Sequence, residues 1–301
     1  MDLNVVGVGE VLWDLLLTGP TLGGAPANLA YHARALGARS QVITRVGNDD
    51  YGREIIRRFQ NMGLPDSTVQ IDETAPTGTA KVVLSGDGLA QFTIQEKVAW
   101  DYIAANREAL AAAGAADAIC FGSLAQRSET SRNSILQLVA AAPANALRVL
   151  DINLRQQFYT RAVIERSLEL ADVLKLNEDE LPILAAMAGL SGPAKRQIDR
   201  LAQTFDLQVI ALTRGPDGSL LFQRKGKRWS DCRSHPVQVI DTVGAGDSFT
   251  AVLVMGLLQK MDLDEINEVA NEVARYVCSQ AGATPSLPVE FAQKFSASSP
   301  R

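Results

Sequence analysis

Strand-like and helix-like segments alternate along most of this 301-residue chain. Short apolar runs such as Val5–Val8 and Val173–Leu176 are followed by segments with helical periodicity such as Glu129–Ala141. Parallel strands need long crossover connections, which are usually helices, so the alternation predicts βαβ units around a mostly parallel sheet. The same pattern predicts strands over Gln41–Val46, Ala118–Phe121, Arg148–Ile152 and Val209–Leu212, and helices over Pro26–Leu36, Gly52–Met62, Ala162–Leu170 and Ala194–Phe205.

One segment, from Thr68 to Val98, interrupts this alternation because it contains strand signals without helices. Within it, the predicted strands Thr79–Ser85 and Gln91–Gln95 flank a turn at Gly86-Asp87-Gly88. We expect a small β-sheet that lies over the main sheet as a lid. The alternative is that these strands extend the edge of the main sheet.

The composition is that of an ordinary globular protein, with 47% apolar and 21% charged residues. A net charge of −5 and the lack of a dense Lys/Arg stripe argue against a nucleic-acid-binding surface. The only basic cluster, Arg224–Arg228, lies between apolar runs and predicts a solvated hairpin tip.

Two further features bear on where the protein acts. No run of 18 apolar residues is present, and Met1–Asn4 lacks the basic region of a signal peptide, so we expect neither a membrane span nor export. The cysteines are odd in number and lie far apart (Cys120, Cys232 and Cys278). Free thiols of this kind indicate a reducing cytoplasm.

The segment from Asp241 to Phe249 reads Asp-Thr-Val-Gly-Ala-Gly-Asp-Ser-Phe and begins an apolar-periodic stretch. Small residues at Gly244–Gly246 let backbone N–H groups turn toward one point, where a helix adds the positive end of its dipole. Such a site binds an anion. Asp247 beside it could take a proton from a nucleophile that attacks the anion, which favours phosphoryl transfer. Taken alone, the segment could also be a glycine-rich turn that caps a core helix.

Further polar or glycine-rich clusters follow other predicted strands, at Asp14, Gly23–Asn28, Asp151–Arg155, Asn177–Glu180 and Thr213–Gly218. Each has a structural alternative: a surface ion pair, a packing turn, an acidic helix N-terminus or a hairpin turn. The carboxyl ends of strands are, however, where open α/β sheets bind ligands. Their repeated occurrence at such ends favours one shared site, with Asn177–Glu180 suited to a hydrated Mg²⁺ ion.

Two common nucleotide-binding motifs are excluded. Gly7-Val8-Gly9 follows a strand, but the third glycine of a dinucleotide-binding motif would fall at Leu12, and no helix begins there. No P-loop sequence occurs in the chain.

Together and in this order, the motifs resemble the ribokinase-like (PfkB) family of carbohydrate kinases, most of all its bacterial fructokinase-type members. The matching segments are Gly9-Glu10, Gly23–Asn28, Gly47–Gly52, Asp151–Arg155, Asn177–Glu180, Thr213–Gly218, Asp241–Asp247 and Cys278–Ala283. The resemblance implies an α/β fold, a three-layer α/β/α sandwich with a mostly parallel central sheet. It also implies a single domain over residues 1–301, with a small β lid formed by about 10–23 and 68–98.

The resemblance further implies roles for individual residues in a cytoplasmic, ATP-dependent kinase. Asp247 would be the general base, and the amides of Gly244, Ala245 and Gly246 would form the anion hole. The residues implied to bind the sugar are Asp14, Gly23, Gly24, Asn28 and Arg155, and those implied to bind the nucleotide are Asn177, Thr213, Gly215, Gly218 and Asn271. Asn177 and Glu180 would hold Mg²⁺ through water. A monovalent cation such as K⁺ would be bound by Asp241, Val243, Gly282 and Ser286.

The substrate is the least determined part of this interpretation. Fructose, phosphorylated on a primary hydroxyl, is the first expectation, while 2-keto-3-deoxygluconate, ribose, nucleosides and a non-catalytic regulator on the same scaffold stay open. Only eight residues separate Asp14 from Gly23, fewer than in many relatives, so the first lid hairpin is expected to be short. An exposed lid edge could support a homodimer, but the short hairpin weakens that expectation.

Overall fold

The computed structural model describes residues 3–16, 19–84 and 90–296. Thirteen strands are found among them. In chain order they are β1 (Asn4–Val8), β2 (Leu12–Leu16), β3 (Gly19–Gly23), β4 (Arg39–Gly47), β5 (Val69–Asp72), β6 (Gly78–Leu84), β7 (Ala90–Ile94), β8 (Ala118–Phe121), β9 (Leu147–Asp151), β10 (Val173–Asn177), β11 (Val209–Thr213), β12 (Ser219–Gln223) and β13 (Arg228–Cys232).

Nine of these strands form the main sheet, in the order β13-β12-β11-β10-β9-β8-β1-β4-β5. The pairings from β11 through β9, β8 and β1 to β5 are all parallel, so the carboxyl ends of these strands share one edge of the sheet. β12 and β13 add an antiparallel hairpin at the other side. The basic cluster Arg224–Arg228 forms the connection of this hairpin, as predicted.

The helices cover both faces of the main sheet. They are α1 (Ala25–Ala35), α2 (Asp50–Asn61), α3 (Arg107–Gly114), α4 (Glu129–Ala141), α5 (Arg161–Leu170), α6 (Glu180–Met187), α7 (Ala194–Thr204), α8 (Ala245–Leu258), α9 (Leu263–Cys278) and α10 (Val289–Ser296). α3 to α7 pack with alternate strand residues such as Val6 and Leu174, whereas α1, α8 and α9 pack with Val5 and Val173. The predicted three-layer α/β/α architecture is therefore confirmed.

A second sheet has four strands in the order β3-β2-β6-β7. It agrees with the expected small sheet, but the predicted range 68–98 is too wide. Val69–Asp72 (β5) pairs in parallel with β4 at the edge of the main sheet, because α2 returns the chain there as an ordinary βαβ crossover. The edge-extension alternative thus holds for β5 alone. The predicted turn at 86–88 lies outside the described residues.

Helices α2 and α8 are fixed in different ways, one by a capping residue and the other by burial. Asp49 caps α2 by accepting a hydrogen bond from the Gly52 amide (2.8 Å). α8 is buried along nine consecutive residues, from Ser248 to Gly256, because α1 and α9 pack beside it. In the part of the chain that the structure describes, no helix has the length and apolarity to cross a bilayer.

Candidate active site

The glycine-rich turn before α8 lies at the carboxyl edge of the main sheet. Gly244 caps the helix with φ 79°, a left-handed conformation that favours glycine. A Cβ at Gly244 would overlap the carbonyl oxygen of Ala283, so this position also needs glycine for close packing. The first amides of an α-helix lack intrahelical acceptors. At this start the Ala245 amide makes only a long 3.4 Å hydrogen bond to the Thr242 carbonyl, and the Gly246 amide follows it. The turn therefore offers N–H groups and a positive helix end to an anion.

Asp247 is held beside this turn by a residue 219 positions away, since the Asn28 Nδ2 donates a 2.8 Å hydrogen bond to its Oδ2. Asn28 is buried in α1, and Asp247 is half-buried in the first turn of α8. Burial and the nearby Asp151 carboxylate raise the pKa of Asp247 to about 6, against the effects of Asn28, Lys175 and Arg155. The group is thus mainly ionised at neutral pH and suited to act as a base.

A buried ion pair lies under the turn. Lys175 Nζ contacts Asp151 Oδ1 at 3.2 Å, and Asp151 Oδ2 accepts a 2.8 Å hydrogen bond from the Thr250 hydroxyl in α8. Burial alone would lower the pKa of Lys175, but the carboxylates around it outweigh burial and raise it. A Cβ at Gly246 would stand 3.0 Å from Lys175 Nζ, so the lysine sits directly beneath the turn.

Sequence reasoning assigned no role to Lys175, although a signal was present. A lysine between Leu174 and Leu176 of a buried strand is rarely found without a partner. The Asp151 carboxylate is that partner, and the pair brings a positive charge close to the predicted anion site.

Two further acidic residues, Glu10 and Asp14, lie beside the glycines that precede α1. Glu10 is 3% exposed, its Oε2 has no hydrogen-bond partner among the described residues, and burial raises its pKa to about 7. Burial also raises the pKa of Asp14, in β2, to about 6. The positive charge of the exposed Arg155 side chain opposes these pKa shifts at Glu10, Asp14 and Asp247. Glu10 belonged to a predicted motif but had no predicted role.

The two glycines before α1 are required by close contacts in this cluster. A Cβ at Gly23 would lie 2.5 Å from Asp14 Oδ2, and one at Gly24 would lie 2.5 Å from the Glu10 carbonyl oxygen. Of the residues predicted to bind the sugar, Asp14 thus lies against Gly23, next to Gly24. Asn28 contacts the Asp247 carboxylate, and Arg155 acts on Asp14 through its charge.

A cavity of about 680 Å³ opens on the opposite side of the turn. It is lined by all five residues predicted to contact the nucleotide, Asn177, Thr213, Gly215, Gly218 and Asn271, and it reaches Ala245 and Gly246. Its apolar wall, which sequence reasoning missed, comprises Val237, Val239, Phe249, Ala274 and Cys278. Residues 233–240 contain no strand or helix, so no periodicity could have assigned Val237 and Val239 to this wall in advance. Phe249, Ala274 and Cys278 lie in α8 and α9, where apolar periodicity predicts burial but not which cavity a side chain lines.

Another cavity, of about 690 Å³, lies at the amino ends of β9, β10 and β11, away from these groups. It is lined by Leu147, Val173 and Val209 together with exposed side chains such as Lys225 and Lys260. No residue predicted to bind substrate, nucleotide or metal lines it. The chemistry therefore favours the 680 Å³ cavity as the ligand site.

The acidic turn after β10 is internally braced. The Glu180 carboxylate accepts 2.8 Å hydrogen bonds from the amides of Leu154 and Asn177, and Asn177 Oδ1 accepts from the amides of Asp179 and Glu180. Burial raises the pKa of Glu180. Glu178 and Asp179 line the cavity instead, together with Asn177. These oxygen donors suit a hydrated Mg²⁺ ion, and the acids nearest the cavity are ones that sequence reasoning did not select.

The predicted monovalent-cation residues belong to two joined loops. Asp241 accepts hydrogen bonds from the amides of Val243 (3.0 Å) and Gly282 (3.1 Å), which ties the loop before α8 to the loop after α9. Ser286 lies farther along the second loop, where its carbonyl accepts a hydrogen bond from the Tyr276 hydroxyl. A carboxylate with neighbouring carbonyl groups is a donor set that hard cations accept. The described residues contain no group of three or more His, Cys, Asp or Glu side chains arranged to hold a metal.

The chain is similar to known carbohydrate kinases over nearly its full length. The profile of the pfkB family carbohydrate kinases matches residues 18–290. An uncharacterized sugar kinase of Pyrococcus horikoshii, PH1459, is 30% identical over 291 residues, which cover 94% of this chain and 88% of that protein. A fructokinase of Escherichia coli is 27% identical over 305 residues, covering 96% and 97% of the two chains.

Solved structures agree with the fold. The complex of PH1459 with ATP superposes with a TM-score of 0.83 at 28% identity, covering 97% of this chain and 99% of that one. A fructokinase from Xylella fastidiosa superposes with a TM-score of 0.86 at 23% identity, covering 98% of both chains. The chain therefore belongs to the pfkB family of carbohydrate kinases.

Proposed function

We propose that this protein phosphorylates fructose on a primary hydroxyl, using Asp247 as the general base. One observation carries the proposal. Asn28 holds Asp247 at the junction between the nucleotide-sized cavity and the Asp14–Glu10–Arg155 cluster, at the start of α8. A base at this junction can reach a hydroxyl on one side while a phosphoryl group approaches from the other.

Membership of the family identifies the chain as an ATP-dependent sugar kinase. In the proposed reaction, the sugar oxygen attacks the γ-phosphorus of ATP, the bond from that phosphorus to the β,γ-bridging oxygen breaks, and ADP leaves. The hydroxyl proton passes to the Asp247 carboxylate. The amides of Gly244–Gly246 stabilise the negative charge on the transferring group, and Lys175 beneath them adds a fixed positive charge.

The cavity provides for the nucleotide. We assign its phosphates to the turn formed by Thr213, Gly215 and Gly218, and its base to the apolar wall near Asn271. Mg²⁺, when bound, would neutralise phosphate charge, and Asn177 with the neighbouring acids Glu178, Asp179 and Glu180 would hold it through water. K⁺, when bound, would lie in the two loops joined by Asp241 and support the anion hole.

The charges around Arg155 favour a neutral sugar over a sugar acid. Asp14 and, where it is ionised, Glu10 already interact with the Arg155 charge, so a carboxylate on the substrate would have to compete with them for it. Hydroxyl groups can donate to the same carboxylates. The similarity to the E. coli fructokinase then favours fructose among neutral sugars.

We further propose that the small sheet acts as a lid over the sugar. Its strand β2 carries Asp14 and its strand β3 ends at Gly23, so two residues of the sugar cluster would move with it. Closure would exclude water, which would otherwise compete with the sugar hydroxyl for the phosphoryl group.

The direct test is ADP release measured with fructose, ribose, 2-keto-3-deoxygluconate and adenosine, with Mg²⁺ present and K⁺ varied. The proposal predicts the highest kcat/KM with fructose. A preference for 2-keto-3-deoxygluconate would overturn the charge argument at Arg155, and binding of these sugars without turnover would favour a non-catalytic regulator.

A further inference from the structure

One face of α1 contacts both sides of the proposed transfer centre. Asn28 and His32 are four residues apart and therefore lie on the same face of the helix. Asn28 holds the Asp247 carboxylate, whereas His32 Nε2 lies 2.9 Å from the carbonyl oxygen of Ala283. A single helix thus fixes the base and also contacts the loop that follows α9.

That loop determines where the glycine-rich turn can lie. Ala283 packs so closely against Gly244 that a Cβ at Gly244 would overlap its carbonyl oxygen, the same atom that His32 contacts. The loop is also tied to Asp241 through the Gly282 amide (3.1 Å) and to α1 through the Tyr31 hydroxyl, which donates to the Pro285 carbonyl (3.2 Å). A shift of Ala283 would therefore be transmitted to the amides at the start of α8.

The chemical state of His32 follows from its surroundings. The side chain is fully buried, and burial lowers its pKa to about 4, so the ring is neutral at physiological pH. A carbonyl oxygen only accepts hydrogen bonds, so Nε2 must carry the proton and Nδ1 must be bare. Nδ1 has no hydrogen-bond partner within the described residues. An apolar side chain would fill this space without leaving a buried nitrogen unsatisfied, so packing alone does not account for histidine here.

We propose that His32 is a positioning residue for phosphoryl transfer, which holds the Gly244 turn in register with Asp247 through its hydrogen bond to Ala283. The inference rests on the proposed function, because it takes the Gly244–Gly246 amides as the anion hole and Asp247 as the base. It adds a residue that touches no reactant and acts through Ala283.

The test compares four variants in the ADP-release assay, at a temperature well below every melting midpoint. His32→Leu removes the donor, and we expect kcat to fall by about 10- to 100-fold with the KM for sugar within about threefold, since small misplacements of reacting groups cost that much in rate. His32→Gln keeps an N–H donor and is expected to recover most of the loss. The matched control is Ser40→Ala, which removes another buried hydrogen bond to α1, from Ser40 Oγ to the Ala30 carbonyl. We expect it to stay within about twofold of wild type.

A second measurement needs only the wild-type protein. Long-range ¹H–¹⁵N NMR should report His32 as the neutral Nε2–H tautomer at pH 7, and the Nδ1–H tautomer or a charged ring would overturn the proposal. So would a His32→Leu variant that matches Ser40→Ala in kcat, or a His32→Gln variant as slow as His32→Leu. The fourth variant, Asp247→Asn, separates the two hypotheses. If it is slow while the His32 variants are not, only this inference fails; if it is fast, the proposed function fails as well.

Discussion

Replacing Glu10 by Gln should increase the free energy of unfolding at high pH but not at low pH. The folded protein holds the Glu10 proton up to about pH 7, against 4.5 for the free group, because burial disfavours the charge. Between these values the folded state binds more protons than the unfolded state, so wild-type stability falls as pH rises. Glutamine keeps the shape and an acceptor oxygen but cannot ionise.

The size of the effect follows from the shift. About 2.5 pKa units, from 4.5 to about 7, at 1.36 kcal/mol each give about 3 kcal/mol between pH 4.5 and pH values above 7. A chain of 301 residues has an unfolding entropy of about 0.6 kcal/mol/K near its midpoint, so the melting midpoints should separate by about 5 °C. The shifts at Asp14 and Asp247 are present in both proteins and largely cancel in the difference.

The assay is thermal unfolding followed by circular dichroism, from pH 4.5 to 8.5, for wild type and Glu10→Gln. Glu96→Gln, at an exposed position, controls for the loss of a surface carboxylate. A difference between Glu10→Gln and wild type that stays constant over this range would refute the reasoning, because it would mean that Glu10 ionises normally in the folded protein.

Three further predictions concern the transfer centre. Lys175→Met should lower kcat at least tenfold and destabilise the fold by about 3–5 kcal/mol, because it leaves the Asp151 charge buried and unpaired. Adding Asp151→Asn should restore the midpoint of urea unfolding but not kcat. Recovery of both would exclude a catalytic role for the lysine charge. Gly244→Ala should lower the melting midpoint more than Gly189→Ala does. Both positions have a positive φ, but only at Gly244 does the Ala283 carbonyl occupy the place of the new Cβ. Equal losses of melting midpoint would contradict the packing argument. The value of kcat at saturating substrates should rise with pH up to about pH 6 and then level off, because Asp247 must be ionised to act. A flat profile down to pH 5 would contradict this.

Local sequence signals were sufficient for most of the fold. The helix predicted over Glu129–Ala141 has the observed bounds, and the strand Ala118–Phe121 does too, because caps and apolar periodicity are encoded locally. The strand at Val69–Asp72 is different, because its own residues say nothing about which sheet it joins. That choice depends on the register with Thr44–Gly47, which is set by the crossover through α2.

The candidate site also has a part that local sequence signals predict and a part that they do not. Glycine-rich and acidic clusters at strand ends are visible in the sequence, so the residues around Gly244 and the nucleotide cavity could be proposed in advance. Glu10 and His32 could not, because each acts through groups that are remote in the chain, and the lone lysine in β10 did not by itself identify Asp151 as its partner. The His32–Ala283 contact, for example, spans 251 positions. Only the packed structure shows that such buried polar side chains meet at one centre.

The central claim is that Asp247 is the base in phosphoryl transfer to a sugar hydroxyl. Its most direct test is kcat for Asp247→Asn at saturating ATP and fructose, with ATP affinity measured in parallel by calorimetry. Asparagine keeps the shape and can still bond to Asn28, but it cannot accept the proton. We predict that kcat falls by at least about 10²-fold while ATP affinity is nearly unchanged. A variant that turns over within a few-fold of wild type would contradict the account.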